Sequence, residues 1–347
     1  MSSSSNFVGT KRFSIKHRLG AGSFGVVYEA FDQEKNSLVA LKVLHPTLFQ
    51  ESGEALYRFK REFRALADLV HPNLVSLYEL IADQESWFFT MELVKGVNFL
   101  DYVLEQPVIS PPNTRISAEA RQTNLQNQSN FDAATVDSNV ISTNSNYIME
   151  CPTEISFSDP SPIYNNYTFQ NIDFKRLRML LRQLVEGVYA LHRAGKLHRD
   201  LKPSNVLVTK EGRVVILDFG LVTELNNTDV SSSLGFFGTP THMSPEQSAC
   251  LPASEASDWY SVGVILYQAL TSKFPFTGKM HEIISQGLEG DAPAPSSINS
   301  NVPLDLDSLC VSLLQRDPKR RPTGKEILNQ LRGVTNELPA TSFFSID

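Results

Sequence analysis

Between Phe13 and Val97 the chain alternates short apolar, β-rich runs with polar breaks. Gly25 to Ala30, Leu38 to Val43, Leu74 to Ala82 and Trp87 to Leu93 carry β-branched and aromatic residues over strand-length windows, which predicts strands. One segment departs from this pattern. From Leu56 to Val70, the residues Phe59, Phe63, Leu66 and Val70 recur at helical spacing and form one apolar stripe. The expectation is a small sheet with a single helix. From Asp173 the period changes: Leu177, Leu180, Leu181, Leu184, Val188 and Leu191 give Phe174 to Arg193 a broad apolar face, and Gly195 is positioned to end that helix as a left-handed cap. Two short strands, Val206 to Val208 and Val214 to Leu217, follow around a Glu211-Gly212 turn. Beyond Pro245 helices continue to about Leu331.

The intervening stretch, about 105–171, is dominated by Asn, Ser, Thr and Pro, with few charges and no sustained apolar period. Such a sequence does not recover its ordering entropy by burial, so a largely disordered insertion is expected. The pattern divides the chain into a tail (1–12), a small lobe (13–94), a larger lobe (95–331) interrupted by the insertion, and a second tail (332–347).

Composition narrows the function classes. With 347 residues and 41% hydrophobic content, the chain can bury one large core or two joined ones. A net charge of -7 without a basic stripe argues against nucleic acid or acidic lipid as a partner. Cys151, Cys250 and Cys310 are far apart and show no CxxC or Cys/His spacing, so neither a disulfide framework nor a zinc site is indicated. Met1 is followed by serines rather than an apolar signal stretch, and the longest apolar run, Val262 to Leu270, is about half of the ~20 residues that span a bilayer. A cytoplasmic setting with no membrane span is expected, and the oligomeric state is left open.

Three constellations carry chemistry. Gly20-Ala21-Gly22-Ser23-Phe24-Gly25 lies between two predicted strands rather than at a strand-to-helix turn, and its glycines let backbone amides approach phosphate oxygens. Lys42 sits in the apolar run Val39-Ala40-Leu41-Lys42, where an ammonium needs a carboxylate or phosphate partner. Glu62 supplies a candidate, because it shares the inward helical face of Phe59 and Leu66. Finally, His198-Arg199-Asp200-Leu201-Lys202-Pro203-Ser204-Asn205 packs a carboxylate, an ammonium and a carboxamide into one loop. Asp218-Phe219-Gly220 then puts a second carboxylate at a nearby strand end, as a divalent metal bridging phosphates requires.

Together these motifs resemble those of the eukaryotic-type protein kinases, over about Phe13 to Leu331 apart from the insertion, and the phrasing around Trp87 to Val94 and Ser257 to Gly263 is especially similar to bacterial members. The resemblance implies an α+β, bilobal fold with a small antiparallel β-sheet lobe bearing one helix and a larger, mainly helical lobe. It implies ATP and Mg2+ (with Mn2+ as an alternative) as cofactors, and protein substrates with serine or threonine acceptors. By position, Leu19 and the Gly20 to Gly25 loop would cover the nucleotide, Lys42 would hold its phosphates and Glu62 would fix Lys42. Asp200 and Lys202 would act at the transferred group, and Asn205 and Asp218 would hold the metal. The adenine would lie between Val27 and Ala40 above and Leu207 below, edged by Glu92 to Val94, with Met91 at the back. Leu66, Leu77, His198 and Phe219 match the apolar stack linking the lobes. Glu246 is expected to pair with Arg321, and Asp258 to support the catalytic loop. Ser244 stands where the family more often has alanine. A catalytically silent scaffold and a small-molecule kinase are the rival readings, disfavoured by the complete residue set and by the substrate-facing segment Gly238 to Glu246.

Between Arg213 and Lys273 there is no lysine or arginine, although Thr228, Ser231, Ser232 and Ser233 lie there. A phosphate in that segment would have Arg199, Arg58, Lys60 or Arg61 as cationic partners and none nearby in sequence. Weak dependence of activity on phosphorylation of this segment is therefore expected. Relatives of this type often carry regulatory domains after the kinase, and the sequence ends shortly after Leu331, so none is expected here.

Overall fold

The structure, a computed structural model, describes residues 7–22, 25–45, 53–83, 86–104, 172–218 and 240–333. The expected insertion at 105–171, the phosphorylatable segment around Thr228 to Ser233 and the residues Ser23, Phe24, Phe219, Gly238 and Thr239 lie outside them.

The small lobe is one antiparallel sheet. Its strands are β1 (Phe13–Gly22), β2 (Gly25–Asp32), β3 (Ser37–Leu44), β4 (Leu77–Asp83) and β5 (Ser86–Met91), in the order β1-β2-β3-β5-β4. Period-2 alternation along β3 decides its two faces. Val39 and Leu41 join Phe13, Ala30 and Phe88 in an outer cluster, whereas Ala40 and Leu44 join the main core that runs into the larger lobe. Lys42 shares the inner set, so its ammonium faces the junction of the lobes. Helix α1 (Gly53–Ala67) covers that inner face with Phe59, Phe63 and Leu66, all at most 4% exposed.

Helix α1 stops at Ala67, short of the expected Val70, which is 86% exposed. The cause is local: Pro72 disfavours helical backbone at His71, and the last turn has already closed through Asp68 N to Arg64 O and Leu69 N to Leu66 O. Likewise β4 begins at Leu77 rather than Leu74. Leu74 instead bridges Ile216 of the larger lobe, and Val75 N donates to Ile216 O at 3.0 Å, tying the lobes together.

The larger lobe begins with β6 (Gly96–Asn98) and α2 (Phe99–Leu104), and continues with α3 (Phe174–Arg193), β7 (Val206–Thr209) and β8 (Val214–Ile216). Strands β6, β7 and β8 form a second antiparallel sheet. Asp173 caps α3 by accepting from the amides of Lys175 and Arg176. Gly195, at φ 69°, ends it in a Schellman motif, Gly195 N donating to His192 O and Lys196 N to Leu191 O. Leu177, Leu180, Leu181, Leu184, Val185, Val188 and Leu191 are buried along the helix, each stabilising by about 1.5–3 kcal/mol before entropy is counted. Next come α4 (Pro245–Ser248), α5 (Glu255–Thr271), α6 (Met280–Glu289), α7 (Leu304–Leu313) and α8 (Gly324–Gly333).

The apolar run Val262 to Leu270 is the centre of α5, whose residues from Ser257 to Thr271 are all buried. Among the described residues no helix is long and apolar enough to cross a membrane. Cys310 is free and buried.

Candidate active site

The junction between the lobes collects the predicted residues from four separate stretches. Lys42 is only 7% exposed, and its Nζ lies 2.7 Å from Asp218 Oδ1. Register explains its surroundings: Val27 stands opposite Lys42 on β2, Gly20 opposite Val27 on β1, and Met91 opposite both Ala40 and Leu77. Ala40 and Met91 are buried, whereas Val27 and Leu207 are half-buried. Leu19 is 47% exposed at the rim. Glu92 to Val94 run directly from β5 toward β6. Glu92 N donates to Ser76 O at 2.9 Å, and its carboxylate pairs with Arg213 of the larger lobe. Glu62 belongs to α1, and its side chain lies outside the described residues.

The glycines of the β1-β2 hairpin serve different ends. A Cβ on Gly25 would stand 2.0 Å from Val43 O, so that glycine is required by strand packing. A Cβ on Gly20 or Gly22 would meet nothing within 4 Å. Protein packing does not demand glycine there, whereas a ligand approaching the backbone would.

The loop from His198 to Asn205 is held from below by α5. Asp258, 1% exposed, accepts from His198 N and Arg199 N at 2.8 Å each, and His192 Nε2 lies 2.8 Å from the same carboxylate. Burial pushes the Asp258 carboxyl up, but the hydrogen bonds it accepts, from the His192 side chain first and from the His198 amide, hold the group below the usual carboxylate range. His192 was not anticipated from sequence, because it sits 66 residues from its partner on a helix face that reads as apolar. The loop is also tied to the end of β8: His198 Nε2 lies 2.9 Å from Leu217 O, and Leu217 N donates to Asn205 O at 2.8 Å.

Within this frame Asp200 Oδ2 lies 2.8 Å from Lys202 Nζ, and Asn205 Nδ2 donates to Asp200 O at 2.9 Å. The Asn205 carboxamide nitrogen is thus engaged within the loop. Arg199 (φ 66°) and Asp218 (φ 52°) both adopt left-handed backbone, which costs on the order of 1–3 kcal/mol per residue and persists only where surroundings over-determine it. One of the two strained residues immediately precedes the candidate carboxylate Asp200, and the other is the second candidate carboxylate, Asp218, itself.

Leu66, Leu77 and His198, three members of the expected apolar stack, are buried, and the fourth, Phe219, lies outside the described residues. Arg321 and Glu246 form the expected ion pair, at 2.7 and 2.8 Å. Ser257, which sequence reasoning did not single out, adds a 2.7 Å hydrogen bond to the same carboxylate.

The sequence profile described as protein tyrosine and serine/threonine kinase matches residues 13–331. Among curated relatives, a probable serine/threonine-protein kinase of Clostridium perfringens is 25% identical over 94% of this chain, which spans 38% of that protein. Serine/threonine-protein kinase PknL of Mycobacterium tuberculosis is 28% identical over 96% of this chain and 68% of its own length. PrkC of Bacillus subtilis is 24% identical over 89% of this chain, which again spans 38% of the relative. Among solved structures, the crystal structure of Rad53 residues 1–466 in complex with AMP-PNP superposes with a TM-score of 0.62 at 23% identity, covering 92% of this chain and 65% of that one. That likeness speaks to the fold.

Proposed function

Because the chain belongs to the protein tyrosine and serine/threonine kinase family, we propose that it is an ATP-dependent protein kinase that transfers the γ-phosphate of ATP to serine and threonine hydroxyls of polypeptides, its own among them, in signalling. The observation that carries this reading is the 2.7 Å pair between Lys42 of the small lobe and Asp218 of the larger one, which joins the two halves of a phosphate-binding site. The names of the bacterial relatives support serine and threonine as acceptors.

In this reading Lys42 binds the α- and β-phosphates, held by Glu62, and the hairpin from Leu19 through Gly20, Ala21, Gly22, Ser23, Phe24 and Gly25 covers them with backbone amides. The open space at Gly20 and Gly22 supports a phosphate approaching there. Val27, Ala40 and Leu207 sandwich the adenine, Met91 closes the back, and the backbone of Glu92 and Val94 meets its edge. Asp200 takes or orients the proton of the acceptor hydroxyl, and Lys202 offsets charge on the transferred group.

The donor set fits a hard divalent cation. Among the described residues no group of three or more His, Cys, Asp and Glu forms a self-contained metal cage, and Mg2+ characteristically takes one or two protein oxygens and completes its shell with phosphates and water. Asn205 and Asp218 would hold it, since the Asn205 nitrogen is spent on Asp200 O while Asp218 remains partly exposed. Bound there, the ion supplies neutralisation of phosphate charge.

The test is transfer from γ-labelled ATP to a generic basic protein, followed by phosphoamino-acid analysis. The parent chain should label serine and threonine, and Asp200→Asn should lower the rate by on the order of 10²-fold or more. Equal labelling by both, or label confined to a small molecule, would contradict the proposal.

A further inference from the structure

The strained peptide that leads into Asp200 is gripped on both sides. Arg199, at φ 66°, donates its N–H to Asp258 Oδ1 at 2.8 Å. Its carbonyl accepts from Gln247 Nε2 at 3.2 Å. The Arg199 carbonyl and the Asp200 N–H belong to one planar peptide unit, and Asp200 N in turn donates to His198 Nδ1 at 3.3 Å. Turning that plane would turn the Asp200 Cα, and its side chain with it.

Gln247 is itself fixed. Its Oε1 accepts from Ser244 N at 3.1 Å and from Ser244 Oγ at 3.0 Å, while Gln247 N donates back to Ser244 Oγ at 3.4 Å. This is a capping box at the start of α4. The carboxamide therefore divides its labour: the oxygen closes the helix cap, and the nitrogen reaches 48 residues back to the loop.

We propose that Gln247 is a positioning residue for phosphoryl transfer, which sets the orientation of Asp200 by holding the carbonyl of the left-handed Arg199. The inference rests on the kinase reading of Asp200 given above. It also gives Ser244 a purpose: the hydroxyl fixes the carboxamide, which alanine at that position would not do. Misplacement of a catalytic group by about 1 Å is enough for a rate loss near 10²-fold, so a single missing donor at this peptide is expected to reduce turnover by at least tenfold.

Two variants separate positioning from folding. Gln247→Glu keeps acceptor oxygens for Ser244, and so the cap, but sets an acceptor against the Arg199 carbonyl. Gln247→Met keeps the volume and loses both functions. Both should lower kcat at least tenfold with the KM for ATP within twofold of the parent, whereas only Gln247→Met should lower the melting temperature. Amide hydrogen exchange in the nucleotide-free protein supplies a readout that needs no activity: in Gln247→Glu, exchange should rise at Arg199 and Asp200 and stay unchanged in α5. An inactive parent with this exchange pattern would remove the kinase reading and leave the loop restraint standing. Unchanged exchange, a kcat for Gln247→Glu within twofold of the parent, or losses of kcat that track the losses of melting temperature would each overturn the proposal.

Discussion

Arg321 should be the most sensitive single position in the larger lobe. Its five N–H donors are all used: Nε to Gln315 O at 2.7 Å, Nη1 to Glu246 Oε1 at 2.7 Å and Ala256 O at 2.8 Å, and Nη2 to Glu246 Oε2 at 2.8 Å and Arg316 O at 3.1 Å. The guanidinium also lies 4.9 Å from the Tyr260 ring centroid. In Arg321→Met three backbone carbonyls lose a donor, and Glu246, 7% exposed, is left with the Ser257 hydroxyl as its side-chain partner among the described residues. Breaking a buried pair from one side costs about 3–5 kcal/mol, which corresponds to a fall of about 6–20 °C in melting temperature for a domain of this size. The pH dependence follows from Glu246. Burial pushes its carboxyl up, but the Arg321 hydrogen bonds and charge, with Ser257, hold it below the usual range. A depressed native pKa contributes stability above the unfolded value of about 4.3, and that stability is lost as pH falls through the native value. Without Arg321 the sign reverses, because burial then favours the protonated acid. The gap between parent and variant should therefore narrow from pH 7 to pH 5. Thermal melting followed by circular dichroism measures this, and Glu246→Gln combined with Arg321→Met should cost less than the sum of the single changes. A variant that melts within about 2 °C of the parent at pH 7, or a gap that widens in acid, would refute the reasoning.

Gly25→Ala should disrupt the hairpin, since its Cβ would collide with Val43 O at 2.0 Å, whereas Gly20→Ala and Gly22→Ala should melt like the parent yet raise the KM for ATP; matched melting of all three would contradict this. Burial pushes the His242 imidazole down to about 4, against the opposing effects of Gln268 and Asp200. The unfolded chain therefore takes up a proton first as pH falls from about 6.5, and native stability declines toward pH 4 by on the order of 3 kcal/mol. His242→Gln should flatten that slope in melts between pH 7 and 4.5, and identical slopes would disprove the assignment. Replacing Ser231, Ser232 and Ser233 together by alanine should retain most of the transfer rate, because the surrounding sequence offers no nearby cation to a phosphate; abolished activity would overturn that expectation.

The sheet of the small lobe was legible in the sequence because alternation along β3 separates Val39 and Leu41 from Ala40 and Leu44 and so fixes the face on which Lys42 lies. Helix α3 was legible down to its terminal glycine, since its period and its cap agree. What local pattern could not supply was partnership across distance. The apolar stripe of α1 ran on to Val70 because periodicity does not register the backbone restriction imposed by Pro72. Leu74 read as part of β4 because its hydrogen-bonded neighbour, Ile216, belongs to the other lobe. At the site the residue types were evident from motif spacing, but the supports were not: His192, Ser257 and Gln247 are polar residues with ordinary surroundings in sequence, and only the fold aims them at Asp258, Glu246 and Arg199. The Ser244-x-x-Gln247 spacing does announce a helix cap, and nothing local says that the same carboxamide reaches the Arg199 carbonyl.

The convergence of Lys42, Asn205 and Asp218 on one nucleotide is tested most directly by calorimetric titration of ATP with and without Mg2+ into the parent, Lys42→Met and Asp218→Asn chains. The parent should bind ATP more tightly when Mg2+ is present, Asp218→Asn should lose that enhancement, and Lys42→Met should bind weakly in both conditions. Equal Mg2+ enhancement in the parent and Asp218→Asn, or unaltered affinity in Lys42→Met, would contradict a shared site.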